Sequence, residues 1–156
     1  MDTSPPSRLA QVRRAVFARH ANPWSAWSRW ATAPLALVPV WTRDWRHAAA
    51  VAAWFAVNPV IFPEPAHNRA WASRAMLGEE LWLLDRPLDA AMGVNAAATA
   101  IGLASVIAAR RRLPVTTVAT SAASMALLLV YWELMARYHD ERQAEAPAPA
   151  AEPGSG

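Results

Sequence analysis

Two stretches of the chain run for about twenty residues each without a charge, and they limit the fold more than any other feature. Nothing charged lies between Ala90 and Ala109, nor between Pro114 and Trp132. The runs that contain them, Leu88–Ala109 and Pro114–Met135, are each 22 residues long. At about 1.5 Å of rise per residue, a helix of that length crosses the ~30 Å hydrocarbon core of a bilayer. Helices of a soluble bundle keep a polar face, and these two lack one. Arg110-Arg111-Arg112 closes the first run, where membrane-flanking basic residues belong. Gly93, Ala97, Gly102, Ser105, Ser121 and Ser124 supply the small side chains that let helices approach closely in lipid. A soluble helical bundle is the rival reading.

Two weaker runs precede them. From Trp24 to Trp41 the chain is largely apolar but interrupted by Arg29. Its uninterrupted part, Ala31–Val40, is too short to span alone, and only with the Trp-rich entry does it reach the minimum of about 17 residues. His47–Phe62 is the second run; Asn58-Pro59 should kink or end it, because proline removes a donor and clashes with the preceding turn. Pro63 and Pro65 then stop it. Between the second and third runs, Glu64–Asp89 is polar at both ends and amphipathic in the middle. Trp71, Ala75, Gly78 and Trp82 form an apolar stripe, with Ser73, Glu79 and Glu80 off it and Arg74 inside it, where it can snorkel. Such a helix suits the interface plane. The expected fold is therefore all-α: a membrane helical bundle of about four transmembrane helices plus one amphipathic interfacial helix. Residues 1–22 form a basic N-terminal segment with a short helix from Ser7 to His20, residues 23–142 the helical membrane domain, and residues 143–156 a disordered Ala/Pro-rich tail.

Composition narrows the function classes. The chain is 54% apolar and 17% charged, below the roughly 25% charged of an ordinary soluble domain. Its net charge of +3 comes entirely from arginine, since all fifteen basic residues are Arg. These cluster at the ends of apolar runs rather than along a stripe, which speaks against nucleic acid as a partner. With no Cys there is neither a disulfide, nor a thiolate metal site, nor a cysteine nucleophile. With four spans, nine arginines share the side of the termini and five lie in the two short connectors, so the count expects cytoplasmic termini in the plasma membrane of a prokaryote.

The run His20-Ala21-Asn22-Pro23-Trp24-Ser25-Ala26-Trp27-Ser28-Arg29 resembles the opening of a family of short prokaryotic membrane proteins of unknown function. Asn58-Pro59-Val60-Ile61-Phe62-Pro63 is similar to a second motif of that family, as is Trp71-Ala72-Ser73-Arg74 leading into Leu77-Gly78-Glu79. The ending Tyr131-Trp132-Glu133 through Arg137-Tyr138 is similar too, and the resemblance covers about His20 to Arg142. It implies a membrane protein and brings no activity with it.

The topology gathers the chemistry-bearing residues at one end. His20, Asn22, Trp24, Arg29, His67, Arg74, Glu79, Glu80, Glu133 and His139 make a candidate polar cap, with Arg69, Trp71, Asp85 and Asp140 on the same face. One reading is a His/carboxylate site for a divalent metal, for which imidazole and carboxylate suit zinc or iron. No pair has ligand spacing on one helix, so separate segments would have to contribute. The other reading is an interfacial cap in which Trp and Arg anchor helix ends and acids pair with Arg. Arg29 and Arg74 could additionally hold an anionic lipid phosphate. Glu133 is expected to pair with Arg137 four residues on, and Asn95 to make an interhelical hydrogen bond. Asn22-Pro23 and Asn58-Pro59 read as turn or helix-start devices, or alternatively as paired breaks around a substrate site. The Ser and Thr of the fourth run lack a G-x-S-x-G setting or a partnered base, and no Gly-rich phosphate loop exists. The expectation is a non-catalytic interaction or lipid-contacting subunit, with membrane lipid and a second copy or another membrane protein as partners. The alternative is a membrane-embedded metal-dependent enzyme. No motif names a cofactor.

Overall fold

The computed structural model describes Arg8 and residues 21–65, 67–85 and 88–145, and over these the chain is all-α, with no strand. The expected helix from Ser7 to His20 lies outside the described residues apart from Arg8. Helix α1 (Pro23–Thr32) starts on Asn22, whose backbone is extended and whose Oδ1 accepts from the N–H groups of Trp24 and Ser25 at 2.9 and 3.4 Å. Pro23 occupies the first helical position, where a missing N–H is no loss.

The run from Trp24 to Trp41 is not one helix. α1 passes into a 3-10 segment (Ala33–Leu37) and then into the short α2 (Val38–Thr42). Pro34 and Pro39 explain the break: each removes a donor from the i→i−4 ladder, and the tighter i→i−3 bonds Ala33 N–H to Trp30 O and Val38 N–H to Leu35 O form around them. α2 ends on Arg43 in a left-handed backbone, φ 57°. Asp44 then caps α3 (Trp45–Ile61), accepting from Arg46 N–H at 2.9 Å. Pro59 lies inside α3, and the helix continues two residues past it before Phe62 turns extended ahead of Pro63. Asn58-Pro59 is therefore not a helix-start device, in contrast to Asn22-Pro23.

α4 (Trp71–Asp85), α5 (Ala90–Arg110) and α6 (Pro114–Glu145) complete the fold. Asp89 caps α5 by accepting from Met92 N–H at 3.0 Å, and Arg112 closes it with φ 55°. α6 has 32 residues and continues well past Met135, three residues into the segment expected as a disordered tail. At about 1.5 Å per residue it is ~48 Å long, so it outruns a ~30 Å hydrocarbon core.

The chain runs between two ends. α1 to α2 leads from the cap end (Ala21, Asn22) to the connector end (Arg43), α3 returns, α5 goes out again to Arg110–Arg112, and α6 comes back. The core sits at the cap end, where Ala72, Ala75, Met76 and Trp82 of α4 meet Tyr131, Trp132, Met135 and Ala136 of α6, with Ala21, Ala26 and Ala91 beside them. Gly78 makes this packing possible: a Cβ there would lie 1.9 Å from the Met135 carbonyl oxygen. Along α5 and α6 the approach is also close, with Gly102 facing Ser124, whose hydroxyl donates to Ala98 O at 2.9 Å. Gly93 faces open space, so only part of the small-residue series packs helix on helix. α5 and α6 are long and apolar enough to cross a membrane, and just 17% of each apolar window is buried. α3 has 17 residues, and the first run is broken.

Candidate functional site

Five small polar side chains join the helices at the cap end. Ser25, fully buried on α1, donates from Oγ to Asn58 Oδ1 at 2.9 Å, and Asn58 Nδ2 donates to Ser28 Oγ at 2.8 Å. Ser28 in turn donates to Ser25 O at 3.1 Å. Asn22 Nδ2 donates to Pro63 O at 2.8 Å, tying the entry of α1 to the exit of α3. Ser73, placed off the apolar stripe by its sequence position, is instead fully buried and donates to Ala21 O at 2.6 Å, tying α4 to the same point. The two Asn-Pro motifs thus meet in space, yet the amides are engaged by serines and a backbone carbonyl. Buried polar groups satisfied in this way specify one packing of the helices.

Beside this lock four indoles pack together. Trp27 stacks on Trp71 with ring centroids 5.7 Å apart, and Trp30 and Trp132 meet Trp27 edge-on. Two of the indole N–H groups find acceptors: Trp71 Nε1 donates to Glu133 Oε2 at 2.8 Å and Trp30 Nε1 to Met125 O at 3.2 Å. Trp24 is outside the cluster and 73% exposed.

The ionisable residues are distributed over several separate contacts. Glu79, half-buried on α4, accepts from the Tyr131 hydroxyl at 3.3 Å. Burial pushes its carboxyl above the ordinary range, against the opposing pull of Tyr131 and of the nearby Arg29 guanidinium. Arg29 Nε itself donates to Ser25 O at 3.2 Å. Glu133 accepts from Trp71 and from Arg137 Nε at 2.8 Å, the expected pair four residues apart. Arg74 is ion-paired with Asp140, which also meets His139 Nδ1 at 3.2 Å. Asp85 accepts from Tyr138 and Arg142, which hold its carboxyl below the usual carboxylate range.

Of the candidate residues, Asn22, Arg29, Arg74, Glu79, Glu133 and His139 come to the cap end with these roles, and Glu80 is half-buried there. His67 is exposed in the α3–α4 connection, and His20 lies outside the described residues. Among the described residues no group of three or more His, Asp or Glu gathers closely enough to hold a metal ion. The acids are used one by one on Tyr, Trp and Arg donors. Arg74 is likewise occupied by Asp140, which leaves it a poor place for a lipid phosphate. Asn95 makes no side-chain hydrogen bond among the described residues; Ser124 makes the interhelical bond in its place. Sequence reasoning missed Ser25, Ser73 and Tyr131 as members of the cap. The one signal available was Ser25-x-x-Ser28, which puts two hydroxyls on one face of α1.

An all-helical protein with two long, outward-facing apolar helices and a polar end closed by its own side chains is the class that fold and site define. Within it, the chain belongs to the family of unknown function DUF6653, which matches residues 8–119. That range takes in the Asn-Pro motifs, Gly78 and Glu79, and stops within α6 ahead of Tyr131. No curated protein and no solved structure matches the chain.

Proposed function

We propose that this protein is a non-catalytic integral membrane protein, a lipid-contacting or partner-contacting subunit whose polar cap sits at one bilayer surface. The observation that carries the reading is the outward turn of α5 and α6: 17% of each apolar window is buried, whereas a core helix of a soluble protein would be mostly covered. Leu103, Val106, Ile107, Val115 and Val118 face outward, an apolar surface that water penalises and acyl chains do not. Trp24 near the start of α1 and Trp45 at the start of α3 are 73% and 75% exposed, toward the cap end and the connector end respectively. Such a pair suits the aromatic belts at two interfaces. In this reading residues 23–42 and α3 cross as well, making four spans, and α4 lies at the interface. The cap is structural: its acids are partnered by Tyr, Trp and Arg, a state that holds helices together without presenting a reactive group.

The absence of native cysteine makes the test clean. Single cysteines at Asp44, Arg111 and Glu141 are labelled in intact vesicles with a membrane-impermeant maleimide. Four spans require positions 44 and 111 on one side and 141 on the other, and the sidedness reads the orientation at the same time, with cytoplasmic termini expected from the arginine count. Positions 44 and 111 on opposite sides would leave α5 and α6 as the only spans. Release of the whole protein by alkaline carbonate would refute the membrane reading.

A further inference from the structure

We infer that the connector end holds an anionic phospholipid, its phosphate on the connector arginines and one acyl chain in the groove between the first run and α6; the inference rests on the membrane reading above. Arg43 and Arg46 lie in one connector and Arg110, Arg111 and Arg112 in the other, and the Arg43 guanidinium donates to Arg110 O at 3.5 Å, which sets the two connectors side by side. Asp44 is the only carboxylate in residues 23–62 and 90–132, and its Oδ1 is used to cap α3. Among the described residues none of these five arginines is ion-paired, while Arg74, Arg137 and Arg142 at the cap end all are. At the cap end Arg74, Arg137 and Arg142 are neutralised by acids of the chain, whereas the connector end gathers five arginines around the single carboxylate of Asp44. Arginine forks match phosphate oxygens bidentately, and a basic cluster at a bilayer surface attracts anionic headgroups.

Two further observations give the cluster a shape. Arg43 and Arg112 both adopt left-handed backbone, φ 57° and 55°, at positions where glycine would be unstrained. Keeping arginine there costs about 1 kcal/mol of backbone strain at each site, which is understandable when the side chain is needed. Beside the cluster opens a cavity of about 390 Å³. Pro34, Leu37 and Trp41 form one wall and Val118, Ala122 and Met125 the other. It begins two residues from Arg43 and extends along α6 for about 12 Å at 1.5 Å per residue, a length that suits the upper part of an acyl chain. An apolar slot leading away from a basic mouth has the charge and polarity order of a phospholipid.

The test uses the full chain in nanodiscs of phosphatidylcholine with a minor fraction of phosphatidylglycerol, with the lipids retained after mild detergent extraction counted by mass spectrometry. Wild type should retain phosphatidylglycerol severalfold above its bulk share. Arg43→Gly and Arg112→Gly should each lower that enrichment by about fivefold, the weight of one basic residue at an anionic surface. The same variants should hold or raise the thermal midpoint in pure phosphatidylcholine, a result that a merely structural role for these arginines would not produce. Val118→Trp, which fills the groove and leaves the charges, should also lower the enrichment. Retention at the bulk ratio, or glycine variants that bind like wild type, would overturn the inference while leaving the membrane reading intact. Displacement of the lipid by millimolar inorganic phosphate would overturn it in favour of a free-phosphate site. Failure to enter either bilayer would overturn both readings together.

Discussion

Replacing Gly78 by alanine adds one methyl group where α4 meets the backbone of α6, the tightest of the glycine contacts among the described residues. That Cβ would lie 1.9 Å from Met135 O, 2.7 Å from Met135 C and 3.2 Å from His139 Cβ, and ordinary contact begins at 3.4 Å. The obstacle is backbone, so no rotamer change relieves it. α4 and α6 must part by about 1.5 Å, opening a close-packed interface that has no slack. Ala75 and Met135, exposed by 0% and 1%, would lose contact with each other's helices. Overpacking of this kind costs about 1–3 kcal/mol, and the backbone obstacle puts Gly78 at the upper end. Alanine recovers roughly 0.5–1 kcal/mol through its better helix propensity. The net expectation is a loss of about 2 kcal/mol. Gly93 supplies the internal control, because it sits in a helix with nothing within 4 Å of its Cβ position. There alanine should stabilise by up to about 1 kcal/mol. Thermal or denaturant unfolding in detergent, followed by the tryptophan fluorescence of the packed indoles, reads both variants. A Gly78→Ala protein as stable as wild type, or one matched by Gly93→Ala, would refute the account of α4–α6 packing.

Asn58→Leu should destabilise by about 1–3 kcal/mol, because the buried Ser25 hydroxyl loses its acceptor; pairing it with Ser25→Ala should recover part of the loss, and strictly additive effects in that double-mutant cycle would speak against the lock. Asp85 should make the fold acid-sensitive. Its carboxyl is held down by Tyr138 and Arg142, so its contribution is present above the ordinary value of 3.8 and disappears as pH falls through the lower folded value. Unfolding midpoints measured downward from pH 5 should show this limb flattened in Asp85→Asn, and an unchanged limb would assign the sensitivity elsewhere.

Local chemistry was enough to mark several elements. The uncharged runs gave away α5 and α6, Asn22-Pro23 announced the start of α1, and Glu133 with Arg137 follows from spacing on one helix. Other features depend on a partner far along the chain. Asn58-Pro59 reads as a kink or an end, but the Asn58 side chain is anchored to Ser25 and Ser28, some thirty residues away, and the helix runs on to Ile61, just ahead of the stop at Pro63. The apolar run of α6 ends near Met135, and its polar continuation is paired with α4 through Arg74–Asp140 and Asp85–Arg142, which makes helix worth keeping there. Of the residues in the metal reading, Glu79 accepts from Tyr131, His139 meets Asp140, His67 is exposed in the α3–α4 connection and His20 lies outside the described residues, so among the described residues no group of three gathers.

The sequence by itself determined the all-helical class, the two apolar helices and the crowding of polar residues at one end, because these depend on side-chain chemistry repeated within a few turns of one helix. Only the tertiary structure decided which charges are neutralised and which are left over. An arginine four residues from a glutamate pairs within its helix, but Arg74 and Arg142 find their acids across the α4–α6 contact that Gly78 permits. The five arginines of the connectors make no ion pair among the described residues, since the hairpin ends that carry them have a single acid between them and that acid caps its own helix, and Arg43 reaches the Arg110 carbonyl instead. Pairing across helices is set by rotation and closeness of approach, and neither is written in local spacing.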